Sequence, residues 1–357
     1  MHLPRRVVRW TGVALAVVAG VTVMASAGQA APIACGSVVT RSVVLTRDLI
    51  GCQGDGLVIG ASGITVDLAG HTVAGLVSDD SVGIRNPGRA RVVVKNGVVR
   101  SFERGVQLAG ATGNRLRDLT VELNGSDGID LDDANGNQVL GGQVRDNFTG
   151  ILLRGGSAGN LVAGAVVQGN RGAGVRLEDA TGNRVTGAMV NGNGSAAEPL
   201  TGQILLTRSD RNRLDGNDIS ASSTVGIVLV DADHNRLDHN QVGFVGSDGN
   251  VGGIFLLAGS DRTLLLGNVV ANNRPGDGVL VEAGSHRTVV AGTLATGNGD
   301  DGIQADDPGT RLVGNTADDN GDLGIEAVAG VTGSRNRAGG NGNPFQCGNV
   351  RCAGEVG

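Results

Sequence analysis

A glycine followed by an aliphatic residue recurs along most of this chain, and that recurrence limits the fold more than any other feature. The steps begin at Gly83, Gly105, Gly128, Gly150, Gly174, Gly202, Gly226, Gly253, Gly278, Gly302 and Gly324, so the period is about 24 residues. GIDLDDANGNQVLGGQVRDNFT (128–149) and GILLRGGSAGNLVAGAVVQGNRGA (150–173) are typical units, and LVIGASGITVDLAGHTVAG (57–75) reads as the first. Each unit holds three short β runs, the first alternating in and out with period two. Nine or ten residues after most of these glycines comes an asparagine: Asn114, Asn137, Asn160, Asn183, Asn212 and Asn235. A second set, including Asn124, Asn147, Asn170 and Asn193, closes the third run. Asparagine suits such turns because it tolerates left-handed backbone and bonds its own main chain. One unit cannot bury its aliphatic face alone, whereas a stack of units can.

Composition agrees. Glycine makes up 63 of 357 residues, aromatics 2%, and tyrosine is absent, yet 40% of residues are hydrophobic. A core of this chain is therefore aliphatic, built by repetition rather than around large rings. Seven prolines and no three-residue glycine period exclude collagen. The expectation is an all-β chain of about twelve coils with three parallel sheets, roughly 55 Å long at the usual strand spacing.

The opening TRDLIGCQGDGLVIGASGITVDLAGHTVAG (46–75) and the later units resemble the right-handed parallel β-helix proteins of the pectate-lyase-like superfamily. The resemblance is nearest to bacterial repeat proteins related to the copper-binding accessory protein NosD, and it covers roughly residues 55–340. It implies a right-handed parallel β-helix, capped at both ends. It implies no single activity, because this superfamily hosts lyases, hydrolases, epimerases and non-catalytic binders.

The N-terminus reads as an export signal. MHLPRRVVRW is a basic segment, TGVALAVVAGVTVMA an apolar one, and ASAGQAA supplies small residues for cleavage. The predicted layout is a signal peptide over 1–30, an N-terminal cap over 31–55, the β-helix over 56–340 and a C-terminal cap over 341–357. The mature chain is predicted to be secreted, to the medium or cell surface, without a transmembrane segment. Formal net charge is −6, with 29 basic and 35 acidic residues. Removing Arg5, Arg6 and Arg9 with the leader leaves 26 against 35, a net −9. An acidic chain poor in aromatics lacks both the basic footprint and the stacking platforms of a nucleic-acid binder.

Cys35, Cys52, Cys347 and Cys352 allow three pairings. Two of them join opposite ends of the stack, far beyond the ~7 Å that a disulfide spans. Cys35–Cys52 and Cys347–Cys352 remain, one at each end.

Candidate chemistry lies on the outward positions of the first β run, the second and fourth after each glycine. Three patches result. The first is ionic: Asp130, Asp132, Arg154, Arg176 and Glu178, with Arg154 between Asp132 and Glu178 on neighbouring strands. It reads either as a cross-strand charge ladder or as a binding or catalytic site, an arginine holding a uronate carboxylate while a carboxylate moves a proton. The second is apolar: Leu205, Val228, Val230, Phe255, Leu257 and Leu280. Its occupant is a covering loop, a second copy in an oligomer, or a ligand. The third is acidic: Glu282, Asp306 and Glu326, with Asp300, Asp301 and Asp307 near the turns. It reads as a solvated edge or a calcium site. SDGID (126–130) and DDGI (300–303) are similar to polygalacturonase motifs but sit seven coils apart, where that family keeps them together. His71, His234, His239, His286 and Met189 form no cluster suited to copper. The functional expectation is a secreted protein that binds or modifies an extracellular polysaccharide, an acidic one if arginine holds it. The alternative is a non-catalytic structural or self-associating surface protein.

Overall fold

In the computed structural model, Met1 and residues 32–195, 201–245 and 252–353 are described. The export-signal segment, apart from Met1, lies outside the described residues, as do 354–357 of the C-terminal cap segment. The chain divides after Pro32 into two compact units, the larger of which begins at Ile33.

The unit from Ile33 onward is a β-solenoid. Every strand pairs in parallel with its counterpart one coil away, as Asp127–Asp132 does with Thr149–Arg154 and Gln138–Leu140 with Leu161–Ala163. One sheet has thirteen strands, from Ser37–Val39 to Ile325–Ala327. The remaining strands form two more ladders, merged where Val93–Arg100 and Arg115–Glu122 run through both without a break. Among the described residues the stack thus has about thirteen coils, in keeping with the about twelve expected. The added strand, Ser37–Val39, lies in the segment read as a cap and pairs with Leu57–Ile59. That coil carries no Gly-aliphatic start, so the repeat pattern hid it.

The interior is a column of aliphatics. Ile129, Ile151, Val175, Ile204, Ile227 and Ile254 stack from coil to coil, and Phe102 is the largest fully buried side chain. Each such residue contributes roughly 1.5–3 kcal/mol relative to exposure. The strand-start glycines serve close approach: a Cβ on Gly150 would lie 2.4 Å from the Gly174 carbonyl oxygen of the next coil. Gln203 stands at this position in one coil, since Ile204 pairs with Ile227.

The asparagines form buried amide ladders. The Asn114 side-chain amide donates to Asn137 Oδ1 at 2.9 Å, and Asn137 donates to Asn160 at 3.1 Å. A parallel ladder runs Asn124, Asn147, Asn170, Asn193, where the Gln203 Oε1 accepts at 2.7 Å in place of a further asparagine. It resumes at Asn273 and ends where Gln346 accepts from Asn341 at 2.8 Å. The predicted disulfides are present: Cys35–Cys52 with Cα atoms 5.3 Å apart and Cys347–Cys352 at 6.3 Å. Among the described residues no helix is long and apolar enough to cross a membrane.

Candidate functional site

The thirteen-stranded sheet presents two outward columns, in the register the alternation predicts. One runs Gln107, Asp130, Leu152, Arg176, Leu205, Val228, Phe255, Leu280, Gln304, Glu326. The other includes Asp132 opposite Arg154, and Glu178 opposite Thr207.

The ionic patch is assembled differently from the expected Asp132–Arg154–Glu178 order. Arg154 grips Asp130 with two bonds, Nε to Oδ1 and Nη2 to Oδ2, both 3.0 Å, and also reaches Asp132 at 3.1 Å. The Gln107 amide donates to Asp130 Oδ2 at 3.1 Å, and Arg104 Nε lies 3.7 Å away. Asp130 therefore points outward yet is 0% exposed. A two-bond fork to one carboxylate is stronger than a single contact, and Arg154 makes it to Asp130 rather than to Glu178. Glu178 is held by Arg176 at 3.0 Å and Arg208 at 3.2 Å. Asp127, beside this network, has its pKa raised by burial and by the Asp130 charge.

The apolar patch is largely closed within the chain. Val228 and Phe255 are buried, with Leu205, Val230, Leu257 and Leu280 packed around them. The backbone at Gly202 and Gly252 lies close above: a Cβ there would come within 3.2 Å of Val228 and 2.7 Å of the Phe255 ring.

Past that patch the sheet opens into a cleft of about 220 Å³, lined by Phe255, Asp277, Leu280, Glu282, Gln304 and Asp306 together with Asp300 and Gly276. Asp277 and Asp301 occupy equivalent places on adjacent coils, each just before a strand-start glycine, and both are buried. Asp277 Oδ1 accepts from the Asp301 amide at 3.1 Å, and Asp301 Oδ1 from the Leu323 amide at 2.8 Å. Burial first, then the charges of Asp300, Glu326 and Asp306, push Asp277 up to about 6. Burial and the adjoining Glu326 carboxyl push Asp301 up to about 8. Of the residues proposed for calcium, Glu282 caps the Ala258 amide, Asp306 accepts from Gln304 and Glu326 adjoins Asp301. The carboxylates gathered within 4.8 Å of one another are instead Asp300, Asp301 and Asp322.

The sequence reading missed Asp277. Its signal was the aspartate before a strand-start glycine, shared by Asp127, Asp277 and Asp301. Asp277 and Asp301 lie on adjacent coils; Asp127 lies six and seven strands away.

The family described as periplasmic copper-binding protein (NosD) matches residues 76–274, more than half of the chain. The chain belongs to the NosD family. No curated protein sequence matches it. Among solved structures, the NosD-family chain is similar to the periplasmic alginate epimerase AlgG, with TM-score 0.52 and 14% identity over 83% of this chain and 76% of that one. It is equally similar to a mutant DFA-IIIase from Arthrobacter chlorophenolicus A6 bound to DFA-III, with TM-score 0.52 and 12% identity over 84% and 85%. The Dettilon tailspike protein gives 0.50 and 17% over 87% and 62%. The chain spans 48% of the length of Geobacillus virus E2 ORF18, another match. At these identities the likeness shows the fold alone.

Copper does not fit the residues present. All four cysteines are in disulfides. His71 bonds Asp48 at 3.1 Å, His286 bonds Asp307 at 2.7 Å, and His234 lies 3.2 Å from an Arg262 nitrogen. Met189 is exposed on another sheet. Among the described residues the one grouping of three metal-ligating side chains contains no histidine, and a carboxylate set lacks the soft ligands that favour copper. Two disulfides and a periplasmic family point to a compartment outside the cytoplasm.

Proposed function

We propose that this NosD-family chain is an exported protein that binds a polysaccharide along its thirteen-stranded sheet and acts on a glycosidic bond in the acidic cleft. The observation that carries this reading is the buried pair Asp277 and Asp301, the first of which lines a cavity with an apolar wall. Burial raises both carboxyls, and the adjoining Glu326 raises Asp301 further, so Asp301 holds its proton to higher pH than Asp277 does. Two carboxyl groups whose surroundings separate their pKa values supply an acid and a base.

Phe255 and Leu280 offer the cleft an apolar wall and Gln304 a neutral donor and acceptor. The charged lining residues are Asp277, Glu282, Asp300 and Asp306, all acidic, so a neutral sugar fits better than a uronate. Arg154, Arg176 and Arg208 are already paired with carboxylates, which weakens the uronate reading at the ionic patch. That patch, Asp130, Asp132, Arg154, Arg176 and Glu178, then serves as a polar flank to the bound chain. The alginate epimerase and DFA-IIIase neighbours act on sugars by their names, which is consistent with this reading.

The test is product release from neutral and uronate polysaccharides, read as new reducing ends or unsaturated bonds. Release by the wild type that drops at least a hundredfold in Asp277→Asn and Asp301→Asn supports the proposal. Release unchanged in both variants, or none from any polymer, overturns it, and in the second case the structural reading takes its place.

A second reading rests on the closeness of Asp300, Asp301 and Asp322, which suits calcium. Bound calcium would hold Asp301 ionised. Millimolar calcium should then raise the melting temperature of the wild type and leave Asp322→Asn unchanged; equal melting with calcium and with a chelator removes this reading.

A further inference from the structure

A second cavity, of about 280 Å³, lies on a different ladder, lined by Asp218, Ser220, Gln241, Gly243, Phe244 and Val269 among others. It sits where the third β runs lengthen, over Asp218–Ser222 and Gln241–Val245, five residues each where neighbouring coils have three. The register places Asp218 opposite Gln241 and Gln241 opposite Val269, with Ser220 opposite Gly243 and Gly243 opposite Ala271. Gly243 lets the next coil approach closely under the cavity, since a Cβ there would lie 2.8 Å from the Ala271 carbonyl oxygen.

Phe244 is the informative residue. It is 69% exposed and its backbone is left-handed, with φ +56°. The equivalent residue of other coils is also left-handed: Ser101, Leu123, Asp146, Gly169, Gly192, Ala221, Asn272, Gly297, Asp319 and Gly340. Glycine, asparagine and aspartate suit that conformation and fill seven of these ten places; Leu123 is the other bulky residue of the column, and Phe244 is its one aromatic among the described residues. The chain thus places one of its five phenylalanines, exposed, where local preference asks for something else. Such a conflict marks a functional position more often than a structural one.

The polar groups around it are unused. Among the described residues, the side chains of Asp218, Ser220 and Gln241 make no hydrogen bond or ion pair within the protein. On the neighbouring outward column, by contrast, Arg184, Arg213 and Arg236 are all paired with Asp215 or Asp238. An exposed aromatic face beside polar side chains that have no partner within the protein suits a ligand with an apolar face and a hydroxyl rim. The one charge in the lining is Asp218, which disfavours an anion.

We propose that this cavity is a sugar-binding site for one pyranose ring of a neutral glycan, stacked on Phe244 and hydrogen-bonded through Asp218, Ser220 and Gln241. It is separate from the acidic cleft and does not depend on any reaction there.

The test uses the disulfide-intact protein and saturation-transfer NMR with four probes: cellotetraose, maltotetraose, xylotetraose and mannotetraose. The expected result is transfer to at least one probe, weakened at least tenfold in affinity by Phe244→Asn and by Gln241→Ala. Phe244→Asn should melt at the same temperature or higher, because asparagine relieves the left-handed backbone; a merely structural ring would lower it. Binding that survives Asp277→Asn but not Phe244→Asn supports this site. No transfer from any of the four overturns the proposal, as does affinity unchanged in Phe244→Asn. A change of sedimentation coefficient in Phe244→Asn also overturns it, in favour of self-association.

Discussion

At the scale of single residues, burial decides what each carboxylate does. Asp130 is closed over by Arg154, Gln107 and Arg104 and holds the ionic patch together. Asp277 and Asp301 are buried with few cations near, and their protons are retained to higher pH. Their unfolded pKa lies near 3.9. A carboxyl whose folded pKa is raised binds its proton more tightly in the folded state, so stability falls as pH rises from the unfolded to the folded value. For Asp277 that window is about pH 4 to 6, and for Asp301 about pH 4 to 8. Asp277→Asn should therefore stabilise by about 3 kcal/mol at pH 8 and by little at pH 4. Denaturant melts at the two pH values check this, and equal effects would contradict the burial argument. Thr293 offers a second case. Its hydroxyl is buried without a partner, at a position flanked by Asn268 and Asn315 on the adjoining coils. Thr293→Val removes an unsatisfied group of similar shape and should raise stability by about 1 kcal/mol.

At the scale of elements, the ladders carry the order of the turns. Asn160 donates to Asn183 Oδ1 at 2.9 Å and to the Ala134 carbonyl at 2.7 Å, and it accepts from Asn137. Asn160→Ala leaves several buried polar groups unpaired at once and should cost about 2–4 kcal/mol at ~1–3 kcal/mol for each. Gly150→Ala meets a carbonyl oxygen of the next coil and should be worse, blocking the parallel pairing there. Circular dichroism melts of the two variants rank them. The ladder of Asn124 to Asn193 breaks where Ser222 and Val245 take the asparagine places, and the β runs lengthen beside that break. The Phe244 cavity lies there because an element freed from the repeat can bend outward.

At the scale of the whole molecule, each coil touches mainly its neighbours, so stability is close to a sum of coil and interface terms. The Cys35–Cys52 bridge spans 17 residues and contributes roughly 3 kcal/mol in the chain-entropy account. Reducing it should speed hydrogen exchange in Ser37–Val39 and Leu57–Ile59 and leave Asp127–Asp132 unchanged; uniform acceleration would show cooperativity across the whole stack instead. The parallel coils, their register, the outward columns and both disulfide pairs were legible in the sequence, because a period of two within a period of about 24 leaves few alternatives. The thirteenth coil, Ser37–Val39, was not, since its pairing partner and not its own pattern makes it a strand. Nor was the turn of Arg154 toward Asp130, the burial that lifts Asp277 and Asp301, or the opening beside Phe244. Those depend on which side chains from different coils meet and exclude water, and a repeat pattern places backbones without choosing rotamers or solvent access.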